Sequence, residues 1–289
     1  MVKGEKLFAS FNYFFLALIS LVCLYPVLYV LFASFSDNGL LTQHTGILFK
    51  PLGFSTAAYE KVFKNPMILA GYRNTLFVLI AGLVVCLFMT SLGAYFLSRK
   101  NVFFKKPIMM LVTFTMFFSG GIIPFYLNMR DLHLTNSLWG LIIPFAINTY
   151  NLIILRTSFM AIPESLIEAA LIDGAGHGRI LFSVVLPLSK AILSVMILYY
   201  GIGIWNAWFW ASAILQRREL YPLQVVLREI LLQNSAIAMS AGVDAGDQES
   251  VAATIKYATI IVATVPVLCI YPFLQKYFAR GVMIGAVKE

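Results

Sequence analysis

The chain has 289 residues, of which 60% are hydrophobic and only 12% charged, with a net charge of +8. That charged share is about half the ~25% of an ordinary soluble domain, and the mean hydropathy is +0.85. Soluble enzymes, disordered tails and disulfide scaffolds are excluded as explanations, and a bilayer is the solvent this composition asks for. The three cysteines, Cys23, Cys86 and Cys269, all lie in apolar runs and read as thiols rather than bridges or ligands.

Six apolar stretches follow one another at 11–35, 74–97, 107–127, 138–155, 190–215 and 251–274. A helix needs about 20 apolar residues to cross a bilayer core, so these predict an all-α, polytopic membrane protein with six transmembrane helices. The first stretch is apolar on every side and ends at Ser36-Asp37-Asn38-Gly39, a cluster of turn formers. Lys3 and Lys6 before it also suit a cleaved leader, but a run of 25 residues is too long for that. The loop 36–73 is long enough to be partly helical. In the loop 216–250, Leu223, Val226, Leu227 and Ile230 recur at helical spacing over Pro222 to Gln233, and the small, polar segment from Ser235 to Ser250 reads as flexible.

Charge orients the spans. With the N-terminus in the cytoplasm, the inner segments hold twelve bases against five acids and the outer ones nine against eight. The segment Ser98 to Lys106 alone holds four bases and no acid. Basic residues favour the cytoplasmic side, so both termini are expected inside. The same asymmetry accounts for the +8 that would otherwise suggest nucleic acid.

Catalytic chemistry has no carrier here. The sequence holds no phosphate-binding loop, no H-E-x-x-H and no C-x-x-C. His44, His133 and His177 fall in three different loops, which forbids a shared metal site. Gly174-Ala175-Gly176-His177-Gly178 is glycine-rich, yet it follows a helical stretch and not the strand a dinucleotide fold requires. The spans also lack an interior Asp, Glu or His to bind a coupling ion. Lys190 and Lys256 lie near span ends, where a lysine can snorkel. Uphill transport by this chain therefore needs energy from another subunit.

The inner loop, 158–187, carries the most specific pattern. Pro163 and Glu164 suit a helix start, Ala169, Ala170 and Gly174 form a small-residue patch, and Asp173-Gly174 breaks the helix before a second one reaching Leu186-Pro187. Composition alone leaves open an amphipathic linker lying on the membrane surface. The order Glu168-Ala169-Ala170, three residues, Gly174, nine residues, Val184, one residue, Leu186-Pro187 resembles the E-A-A loop of ABC importer permeases, departing from it only by Val184 in place of Ile.

The resemblance extends along the chain. Tyr25-Pro26-Val27-Leu28-Tyr29, Phe118-Ser119-Gly120-Gly121-Ile122-Ile123-Pro124, Trp205-Asn206 and Tyr221-Pro222-Leu223-Gln224 are similar to segments of maltose-type sugar permeases. The closest likeness is to their complex-oligosaccharide branch. It implies a type I importer fold and a heterodimer with a homologous permease. It also implies two ABC ATPase subunits carrying ATP and Mg2+, and an extracellular solute-binding protein. No cofactor is implied for this chain. The loop would couple to the ATPase through Glu168, Ala169, Ala170, Asp173 and Gly174, with Glu168 offering a carboxylate and Gly174 a close approach. Sugar rings pack on aromatic faces, so Tyr199, Tyr200, Trp205 and Asn206 are candidates for the translocation path. Trp208 and Trp210 suit an interfacial aromatic belt. An unpartnered Asn206 amide facing lipid would be costly, which places it toward the path or a partner.

Overall fold

The computed structural model describes residues 3–240, 254–270 and 272. Helices α1 (Lys3–Ser34), α2 (Asn38–Gln43), α3 (Ala57–Lys64), α4 (Pro66–Ser98), α5 (Lys105–Phe117), α6 (Ile122–Asp131), α7 (Thr149–Met160) and α8 (Glu164–Ile172) come first. They are followed by α9 (His177–Leu188), α10 (Lys190–Trp205), α11 (Trp208–Ile214), α12 (Leu223–Ser240) and α13 (Thr254–Ile270). The described residues contain no strand, only one isolated bridge between Ser36 and Phe54. The chain divides into two compact units, 1–69 with 226–267 and 70–225 with 268–289.

In the first unit, α1 presents an apolar stretch of 27 residues, Phe8–Ser34, with none of its most hydrophobic window buried. Its C-terminal turn is tied down. Ser36 Oγ donates to the Phe32 carbonyl at 2.7 Å and accepts from Leu52 N–H at 3.1 Å. Asp37 caps α2 by accepting from the N–H groups of Gly39 and Leu40. Tyr59 of α3 shares a 2.7 Å hydrogen bond with Ser34, and burial pushes its phenol above the ordinary value.

The second unit is built on residues 70–98 of α4, a helix of 33 residues, Pro66–Ser98, that runs unbroken. Small residues let other helices approach it. A Cβ on Gly82 would stand 3.0 Å from Ile204 of α10, and one on Gly93 3.0 Å from Leu152 of α7. Close backbone approach of this kind is how helices associate where lipid removes the hydrophobic drive.

Three of the predicted spans are not continuous helices. The stretch 107–127 is α5 and α6, bent by 115°. Phe118 to Gly121 separate them, and Gly121 sits at φ +90, a conformation helices do not continue through. The stretch 138–155 begins as two short 3-10 turns, Leu138–Leu141 and Ile143–Phe145, and becomes α7 only at Thr149, with a bend of 48°. Asn148 caps that start by accepting from Asn151 N–H at 3.1 Å. The stretch 190–215 stops at Trp205, with Asn206 as C-cap and Ala207 at ψ 69, before α11 resumes. All three stretches are apolar, but continuity is not encoded in apolar content. Within 36–73, α3 is helical as expected. The helix α12 extends to Ser240, beyond the predicted Gln233. The remainder of 235–250 and both ends of 251–274 lie outside the described residues.

Candidate functional site

The inner loop folds as a helical hairpin. Pro163 is the N-cap of α8 and Asp173 its C-cap. Gly174 follows at φ +79. Its N–H donates to Leu171 O at 3.0 Å, and Ala175 N–H reaches Ala170 O at 2.9 Å. These two bonds are the Schellman closure, which asks for a left-handed residue at the Gly174 position. A Cβ on Gly174 would meet nothing within 4 Å. Within this chain the glycine therefore serves the turn, and no close approach explains it.

One face of the hairpin is anchored. Ile167, Ile180, Leu181 and Val185 are buried in a core shared with Ala94, Tyr95, Leu97, Leu155 and Phe159 of α4 and α7. Tyr95 and His177 Nδ1 share a 3.0 Å hydrogen bond. Lys100 pairs with Glu164, whose hydrogen bond and charge hold the lysine above its ordinary value. The Leu186-Pro187 pair lies at the end of α9, where a π turn over Leu181–Val185 precedes the proline. The chain then bends by 88° into α10.

The opposite face is open. Glu168, Ala169, Asp173 and Gly174 are exposed and Ala170 half-buried. Beside them Leu171 is 45% and Ile172 86% exposed. Two carboxylates, small residues and two exposed aliphatic side chains thus share one surface.

A second feature lies deeper in the same unit. A cavity of about 350 Å³ is lined by side chains from α4, α10 and the irregular entry to α7. Its polar groups include Thr75, Asn148, Asn151, Tyr199 and Tyr200, and Trp210 supplies an aromatic wall. No charged side chain lines it. Tyr200 is a strut of this wall. Its hydroxyl accepts from Asn148 N–H at 3.0 Å and shares a 2.7 Å bond with Thr90. Tyr199 is 37% exposed.

Of the four path candidates, Tyr199 and Tyr200 line this cavity, whereas Trp205 and Asn206 do not. Trp205 is buried at 6% exposure. Asn206 is exposed, and its amide donates to Ile202 O at 3.0 Å, so it is already partnered at the helix end. That bond gives the Asn206 amide one partner within the chain and leaves its exposed side open toward the path or a partner permease. Trp210 is the residue that sequence reading placed elsewhere. It lines the cavity and packs, tilted, with its ring centroid 4.4 Å from that of Phe125, because the break at Asn206–Ala207 turns α11. Asn148 and Asn151 carried a detectable signal, two amides within an apolar stretch.

Residues 89–284 match the family described as binding-protein-dependent transport system inner membrane component. The chain belongs to this family. It is 40% identical to the polygalacturonan/rhamnogalacturonan transport system permease protein YtcP of Bacillus subtilis (strain 168), covering 98% of this chain and 99% of that one. Protein LplC of the same organism is 37% identical over 99% of this chain and 96% of its own length. Among solved structures, the chain is similar to one from a bacterial ABC transporter involved in the import of the acidic polysaccharide alginate. The TM-score is 0.86 at 33% identity, with 96% of this chain and 99% of that chain covered. The chain is thus an all-α, multi-pass permease subunit of the inner membrane, a non-catalytic component of a binding-protein-dependent ABC transporter complex that includes ATPase and binding-protein partners.

Proposed function

We propose that this chain forms half of the transmembrane path of an importer for a complex oligosaccharide, paired with a homologous permease. An extracellular solute-binding protein delivers the sugar, and two ATPase subunits, which hold ATP and Mg2+, drive closure from the cytoplasm. Both termini are cytoplasmic in this reading, as the basic loop 98–106 and the open hairpin on one side require. The substrate class rests on the likeness to the polygalacturonan/rhamnogalacturonan permease YtcP and to the alginate importer.

The observation that carries the coupling role is the two-faced α8–α9 hairpin. Its inner face, to which Ala170 also turns, is packed into the α4–α7 core, while Glu168, Ala169, Asp173 and Gly174 stand at the free face beside Leu171 and Ile172. A rigid hairpin of this kind transmits movement of a bound ATPase to the spans as a rocking motion.

The cavity bounded by Tyr199, Tyr200 and Trp210 supports a sugar-passing role. Aromatic faces suit the C–H faces of pyranose rings, and neutral amides and hydroxyls suit their hydroxyl groups. No charged side chain lines the cavity, so a uronate carboxylate would be balanced outside it.

The test is sugar uptake by the assembled importer in proteoliposomes with the binding protein present. Trp210→Ala should lower uptake of the oligosaccharide several-fold while basal ATP hydrolysis persists. Unchanged uptake in both Trp210→Ala and Tyr199→Ala would remove the cavity from the path.

A further inference from the structure

A groove of about 800 Å³ runs along α5, and it belongs neither to the hairpin's open face nor to the Tyr199 cavity. At one end stand Lys105, Lys106 and Arg156; Met109, Met110, Phe114 and Phe117 line its length. Met110 is 77% exposed and Phe117 76%. The two ends differ sharply in chemistry, cationic at the first turn of α5 and apolar beyond it save for Thr113, whose hydroxyl donates to the Met109 carbonyl.

The cations are not neutralised by the chain itself. Lys105 donates to the Arg99 carbonyl at 2.7 Å and Arg156 to the Leu97 carbonyl at 3.0 Å, both uncharged acceptors. Lys106 has no hydrogen-bond or ion-pair partner among the described residues. The charges acting on Lys105 are those of Arg156 and Arg99, both positive. Glu164, on the neighbouring hairpin, is held by Lys100. A cluster of like charges therefore awaits an anion from outside the chain.

The length of the apolar part says what that anion is attached to. Lys106 to Phe117 spans about 16 Å at ~1.5 Å per residue. One leaflet of a ~30 Å hydrocarbon core is about 15 Å deep. The helix ends at Phe117, where the chain bends away by 115°. We propose that this groove holds an anionic phospholipid of the cytoplasmic leaflet, its phosphate at Lys105, Lys106 and Arg156 and an acyl chain along Met109, Met110, Phe114 and Phe117. Basic pockets at the cytoplasmic ends of membrane helices suit such headgroups. The placement uses the orientation proposed above but not the sugar or the coupling role.

The probe is phosphatidylglycerol added to the assembled, delipidated importer in detergent, with phosphatidylcholine as the neutral control and bound lipid counted by native mass spectrometry. Phosphatidylglycerol should be retained more than tenfold over phosphatidylcholine. Lys106→Gln should weaken phosphatidylglycerol about five-fold, equivalent to ~1 kcal/mol per basic residue at an anionic surface, and leave phosphatidylcholine unchanged. Met110→Trp, which crowds the apolar length and touches no cation, should lower retention of both lipids. Equal retention of the two lipids by the unmodified importer would overturn the proposal, as would no loss in Lys106→Gln. Competition by glycerol phosphate as strong as by the whole lipid would reduce the site to a bare anion site. A photo-crosslinker at position 110 that captures the companion permease in place of lipid would show a protein occupant and sink the idea.

Discussion

Gly174 and Tyr200 show how a single residue can be assigned to fold or to function by what surrounds it. At Gly174 an alanine meets no atom within 4 Å but must hold φ +79, which costs roughly 1–2 kcal/mol for a residue with a Cβ. Asparagine tolerates that conformation better, so Gly174→Asn keeps the hairpin turn while adding bulk at the free face. The expected result is an importer with normal thermal unfolding and ATP hydrolysis that responds several-fold less to the loaded binding protein. Full response in Gly174→Asn, with a loss in Gly174→Ala, would confine the glycine to the turn. Tyr199 and Tyr200 separate in the same way. Tyr200→Phe strands the Asn148 N–H and the fully buried Thr90 hydroxyl, at a cost on the order of 1–3 kcal/mol per orphaned group. It should therefore lower the unfolding temperature of the complex in detergent. Tyr199→Phe should leave that temperature unchanged and act only on uptake. Equal destabilisation by both would mean that Tyr199, too, is a structural hydroxyl.

At the scale of elements, α8 carries opposite demands on its two sides. Ile167 is 4% exposed and Ile172 86% exposed, five residues apart. Ile172→Asp leaves the α4–α7 core untouched and removes an apolar contact that docking on an ATPase would bury, worth about 1.5–3 kcal/mol. Co-purification of the ATPase should fall more than tenfold with the permease still in the membrane, whereas Ile167→Asp should abolish membrane accumulation altogether. Undiminished co-purification in Ile172→Asp would place the docking surface elsewhere. The hairpin was legible in sequence because each of its steps is written as a local rule: a proline at the start, small residues within, a glycine at the left-handed position and a proline near the end. The path was not legible in the same degree. Trp210 enters the cavity because the chain turns at Asn206 and Ala207, and neither proline nor glycine marks that turn. Likewise Phe118 to Gly121 read as part of an apolar run, while Phe118 turns to extended backbone at the end of α5 and Gly121, at φ +90, precedes α6. Hydropathy measures where a segment is soluble, and only backbone conformation decides where a helix stops.

At the scale of the whole molecule, topology turns on the α5–α6 pair. Among the described residues, two helices, α1 and α4, are long and apolar enough to cross on their own, and three further crossings exist only if each bent pair counts as one. If α5 and α6 together cross the bilayer, Asn101 and Asp131 lie on opposite sides. If the 115° bend instead returns the chain to its starting side, both lie in the cytoplasm, and every later segment is inverted. The hairpin α8–α9 would then face outward, away from any ATPase. The basic loop containing Asn101 favours the crossing, since four bases without an acid belong on the cytoplasmic side. Cysteine labelling decides between the two. Cys23, Cys86 and Cys269 are first replaced by alanine. Single cysteines then go to Gln43, Lys61, Asn101, Asp131 and Ser165, all of them exposed. Asn136 is avoided because its Oδ1 accepts from the N–H groups of Gln216 and Arg217. In intact cells an impermeant maleimide should modify positions 43, 61 and 131, and should reach 101 and 165 only after the membrane is opened. Protection of position 131 together with labelling of 165 would establish the re-entrant arrangement and remove the proposed coupling role of α8. Labelling of 131 with protection of 165 is the outcome the charge distribution requires, because it alone leaves both the basic loop and the open face of the hairpin in the cytoplasm.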